Sequence, residues 1–91
     1  MTGGGHEADI AAFITRVWQE RIGRRAPRGS GQVDAFSAGR LRARILVVRA
    51  GSKGSVVTAQ NYYRSNVVAV LVEKPRLGPK EASWVVIVEQ R

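Results

Sequence analysis

The stretch Leu41-Arg42-Ala43-Arg44-Ile45-Leu46-Val47-Val48-Arg49 decides how the chain is read. In extended backbone, successive side chains point to opposite faces of a sheet. Leu41, Ala43, Ile45 and Val47 then share one face, and Arg42 and Arg44 share the other in step with Arg40 just before them. Beyond Arg44 this second face turns apolar at Leu46 and Val48. Alternation with β-branched residues predicts a strand over 41–49 with one face in a core.

Towards the N-terminus the period changes. Apolar residues fall at Ile10, Phe13, Ile14, Val17, Trp18 and Ile22, the spacing of one helix face, with Thr15, Arg16, Gln19 and Glu20 opposite. Glu7 and Asp9 suit the positive end of the helix dipole, Arg21, Arg24 and Arg25 suit the negative end, and Gly23 is a natural stop. A helix over 8–22 is expected. Before it, the glycine-rich residues 1–7 are expected to be a disordered tail, leaving 8–91 as one domain.

Between helix and strand, residues 24–32 read as a basic loop broken by Pro27, Gly29 and Gly31. Val33–Phe36 reads as a short strand or a bend. Beyond Arg49, Gly51-Ser52-Lys53-Gly54 reads as a turn into a short strand, 55–59, that would form a hairpin with 41–49. Gln60–Asn66 is a polar connection. Val67–Glu73 and Ser83–Glu89 read as strands joined by a loop with Pro75, Gly78 and Pro79. The expected fold is α+β: one N-terminal amphipathic helix packed on a small antiparallel sheet of four to five strands. The alternative is a small SH3-like β-barrel with an N-terminal helix. Val67–Val72 and Trp84–Val88 are apolar on both faces, as in strands covered on both sides. One helix covers one side, so the other is expected to need a partner, a homodimer first, or else barrel closure or a bound molecule.

Bulk properties narrow the class. Ninety-one residues make one domain with one modest core. A hydrophobic content of 44% excludes intrinsic disorder. No apolar run approaches the ~20 residues of a membrane helix, and the first residues lack the pattern of a signal peptide. The chain has no cysteine, which excludes disulfides and thiolate chemistry and agrees with the cytoplasmic protein expected here; without a membrane-length apolar run, no membrane partner is expected.

Charge is more informative. The net is +8. Residues 16–53 hold Arg16, Arg21, Arg24, Arg25, Arg28, Arg40, Arg42, Arg44, Arg49 and Lys53 against Glu20 and Asp34, while the two flanking segments cancel. Twelve of the fifteen cations are arginine, whose planar fork suits phosphate and carboxylate. A GC-rich genome would be another source of the preference for arginine over lysine, but it would not produce the clustering.

Catalytic patterns are missing. The single histidine, His6, stands in the glycine-rich tail, and no Cys–His, Ser–His–Asp, metal-ligand or Walker spacing occurs. Neither an enzyme nor a cofactor is expected. Gly51-Ser52-Lys53-Gly54 resembles the GxxG loop of KH domains, which clamps a nucleic-acid backbone. That loop joins two helices, whereas this one stands between predicted strands, so a hairpin turn is the plainer reading. The stretch from Val48 to Val57 also resembles the KOW-type turn of SH3-like barrels, and that resemblance implies the barrel alternative.

The expected function is nucleic-acid binding, DNA or RNA, without catalysis. The candidate phosphate contacts are Arg21, Arg24, Arg25, Arg28, Arg40, Arg42, Arg44, Lys53 and Arg64. Arg40, Arg42 and Arg44, at about 6.5–7 Å intervals on one strand face, approach the phosphate spacing of one nucleic-acid strand. A solvated face that discourages edge aggregation fits the same residues. Tyr62 and Tyr63 are the candidates for stacking on unpaired bases. The alternative is a structural or adaptor protein that self-associates through its sheet, its arginines meeting an acidic protein surface or nothing.

Overall fold

In the computed structural model, the backbone of residues 3–91 and the side chains of residues 9–91 are described; of the disordered tail expected over 1–7, residues 1–2 lie outside the described residues and the backbone of 3–7 is helical instead. Helix α1 runs Gly3–Val17 and continues as one wide π turn, Trp18–Ile22. The Gly23 N–H closes that turn on the Trp18 carbonyl, five residues back, at 2.6 Å. The widening has a packing cause. At α-helical spacing Ile22 stands about 140° round the helix from Val17, off the buried stripe. The wider turn takes back much of that rotation, and both side chains are fully buried. Gly23 then leaves the helix at φ +55°, which its missing Cβ permits.

Six strands follow: β1 Gly31–Ala38, β2 Leu41–Arg49, β3 Ser55–Val56, β4 Val67–Val72, β5 Arg76–Leu77 and β6 Ala82–Gln90. β1, β2, β6 and β4, in that spatial order, form an open antiparallel sheet, and β3 pairs with β5 in a small second sheet. The fold is therefore the expected α+β arrangement, with an open sheet in place of the alternative barrel. The strand expected at 33–36 is longer, and it takes Gly31 and Gln32 from the expected basic loop. Its extra residue, Val33, sits at a register shift between Gln32 and Asp34.

One expectation is corrected outright. β2 makes no hairpin with the strand after Gly54. Both edges of β2 are already occupied, by β1 and by β6, so Ser55–Val56 finds its partner in Arg76–Leu77, inside the segment expected to be a loop.

The sheet carries apolar side chains on both faces. On one, Phe13, Val17 and Ile22 of the helix meet Phe36, Ala43, Ile45, Val47, Trp84, Val86 and Val88. On the other, Val85 and Ile87 of β6 are buried beneath Ala50, Val57 and Leu77, with Tyr62 packed alongside. The chain itself supplies that second cover. The Val57 N–H donates to the Pro75 carbonyl (2.7 Å), the Lys80 N–H to the Gly51 carbonyl (3.0 Å) and the Ala50 N–H to the Glu81 carbonyl (2.8 Å), tying the two connections together. This face therefore needs no partner subunit to cover Val85 and Ile87. Among the described residues, no helix is long and apolar enough to cross a membrane.

Candidate functional site

The chain leaves α1 on a basic segment that is exposed yet anchored. The Arg25 N–H donates to the Ile22 carbonyl at 2.9 Å. The Trp84 indole Nε1 donates to the Arg25 carbonyl at 3.1 Å, from the far side of the sequence. Arg49, at the end of β2, reaches the Pro27 carbonyl through Nη2 and the Gly29 carbonyl through Nε, both at 3.3 Å. Side-chain donors from the sheet thus hold the loop by its main-chain oxygens, while the side chains of Arg24, Arg25 and Arg28 stand in solvent.

Arg21, Arg25 and Arg28 line one open cleft of about 390 Å³, floored by Val33, Ile45 and Trp84. Arg24 joins Arg21 and Arg25 around the adjoining concavity at the helix end. Arg21 is set by two contacts. Its guanidinium lies 5.2 Å from the centre of the Phe36 ring, with Arg16 at 5.1 Å. It also pairs with Asp34 at 3.6 Å, the one carboxylate lining the cleft. Among the described residues, Arg24, Arg25 and Arg28 pair with no acid.

The other candidates are dispersed. Arg40 stands in the two-residue turn between β1 and β2, not in the strand, and lines a different cleft with Asp9, Ile10 and Phe13 of α1. Arg42 and Arg44 lie on the sheet face opposite α1, where their cross-strand neighbours on β6 are Glu89 and Ile87. Arg42 is exposed. Arg44 is half-buried and engaged on that face: its Nε donates to Gln32 Oε1 at 2.9 Å and its Nη1 stands 3.7 Å from a Glu89 oxygen. The expected row of three arginines therefore reduces to Arg42 with a neighbour paired to Glu89. Lys53 is exposed in the turn before Gly54, and Arg64 is exposed with its Nη1 on the Tyr63 carbonyl. Tyr62 packs into the second core cluster, and Tyr63 is 46% exposed.

Two participants escape sequence reading. In sequence Arg49 is one more cation of the basic segment, and Trp84 opens an apolar run. Their loop contacts span twenty or more positions, and no local pattern records such pairings. Among the described residues, no three His, Cys, Asp or Glu side chains stand together in a way that would hold a metal ion. Comparison with protein-family models, with curated proteins and with solved structures gives no match in any of the three.

Proposed function

We propose that the chain is a non-catalytic nucleic-acid-binding protein that contacts phosphates through the arginines at the end of α1 and in the segment after it. One observation carries the reading: Arg24, Arg25 and Arg28 are exposed, meet no acid among the described residues, and ride on a backbone fixed by Trp84 and Arg49. Cations on a tethered loop lose less freedom when they meet an anion than cations on a free one. Arginine forks match phosphate oxygens in pairs. Arg21 lends its charge beside them in part, being shared with Asp34. Arg42 and Lys53 belong to other surfaces and serve at most a strand that wraps the domain. A reducing cytoplasmic setting suits a chain without cysteine.

Anisotropy titrations with single- and double-stranded DNA and RNA oligonucleotides over a salt series test the proposal. Affinity that falls steeply as salt rises supports it; no binding at about 100 mM salt sinks it. The alternative, a structural or adaptor subunit, takes its support from the open edge of β4.

A further inference from the structure

β1 and β4 are the two edges of the main sheet, and they are built differently. An unpaired edge is a template for another strand, and proteins blunt it with charge, proline or a bulge. β1 is blunted by Asp34 beside the irregularity at Val33. β4 reads Val67-Val68-Ala69-Val70-Leu71-Val72, with no charge and no proline, and its irregularity is confined to the Val67–Ala69 end. All six of its residues are half-buried. α1 packs over β2 and β6, so Val68, Ala69 and Leu71 on that side are only partly covered.

The open backbone groups follow from the ladder. The Glu73 N–H donates to the Trp84 carbonyl at 3.1 Å, so residue 73 turns its groups towards β6. Every second residue of an antiparallel strand does the same. Leu71 therefore faces inward, and Val70 and Val72 present their N–H and C=O groups to the outside. Among the described residues, neither meets a backbone partner beyond the sheet.

We propose that this edge pairs with the same edge of a second copy, antiparallel about a two-fold axis at Leu71, joining two four-stranded sheets into one. In that register Val70 of one copy exchanges hydrogen bonds with Val72 of the other, and the two Leu71 side chains meet on the helix side. The occupant follows from the edge. A two-fold contact is made by one surface complementary to itself, and an uncharged apolar strand run antiparallel to its own copy meets that condition. At the flanks Glu73 falls opposite Ala69 and Lys74 opposite Val68, so no like charges meet. Charge placement agrees as well. Arg21, Arg25 and Arg28 gather near β1 and β2, and strands are spaced about 4.8 Å apart, so a β4 junction keeps the two basic clusters on its outer sides. The dimer does not rest on the nucleic-acid reading.

Sedimentation equilibrium from low micromolar to near-millimolar chain tests it. The mass is expected to rise from 9.9 kDa towards twice that value. Val70→Pro removes an outward N–H, which an edge strand tolerates, and is expected to stay monomeric at every concentration with unchanged circular dichroism. A parent that stays at 9.9 kDa throughout overturns the proposal, as it would if the edge served a strand of another protein. A folded V70P that still dimerises overturns it too. Should V70P fail to fold, amide exchange in the parent decides: Val70 and Val72 protected at high concentration and released on dilution supports the pairing, and equal exchange at both concentrations overturns it.

Discussion

The Nε1 of Trp84 and the main-chain oxygen of Arg25 lie 3.1 Å apart, joined across 59 positions of sequence. This bond ties the basic segment to β6, one of the two inner strands of the sheet. Trp84→Phe keeps an apolar ring but deletes the donor. A loss of about 1–3 kcal/mol is expected, from the missing hydrogen bond together with the smaller ring. The urea midpoint reads the stability, and protease cleavage within residues 24–30 reads the freed loop. Cleavage as slow as in the parent counts against this tether.

Leu77 shows that the second sheet face is truly covered. It is 4% exposed and packs with Val85 and Ile87. Leu77→Ala is expected to cost about 2–4 kcal/mol, through lost transfer energy and a residual cavity. A side chain lying in a surface loop would cost almost nothing. Thermal or urea unfolding separates the two.

Gly54 and Gly51 look alike in sequence and differ in the fold. Gly54 holds φ +80°, and a Cβ there would stand 2.6 Å from the Leu77 carbonyl oxygen; at Gly51 a Cβ meets nothing within 4 Å. Gly54→Ala is expected to destabilise by about 2 kcal/mol or more, since both the dihedral and a backbone atom oppose it. Gly51→Ala is expected to lie within about 1 kcal/mol of the parent. Equal unfolding midpoints for the two variants would remove the close approach of β3 to β5.

This pair also shows what the sequence discloses and what it hides. The glycines correctly mark a turn, because backbone demand is local. The partner of the strand after Gly54 is set by which edges are already filled, and no window of residues contains that information. The stripe from Ile10 to Ile22 is legible for the same local reason, although the π turn that brings Ile22 under Val17 is not. In the candidate site, the exposed charge of Arg24, Arg25 and Arg28 was readable from composition and loop character. The pairing of Arg44 was not, because the Gln32 and Glu89 that engage it lie on two other strands.

That difference among arginines gives the sharpest test of function. Each phosphate contact adds about 0.9 to the slope of log affinity against log salt on duplex DNA. Replacing Arg24, Arg25 and Arg28 together with Gln removes three exposed cations while leaving the main-chain oxygens that Trp84 and Arg49 hold. The slope is expected to flatten by about 2–3 units, with an unfolding midpoint close to that of the parent. Arg44→Gln is the matched control. It removes one positive charge, but a charge already facing Glu89 at 3.7 Å, so it should lower stability slightly and barely alter the slope. Arg42→Gln, an exposed cation on the same face, reports whether a bound strand reaches round the sheet: an unchanged slope confines the contact to the helix end. Phosphates carry no base identity, so the triple variant should lose affinity equally on every sequence of one strand type. If it keeps the parent's salt slope while Arg42→Gln and Arg44→Gln both flatten it, the interface is the β2 face and the helix end is not the site.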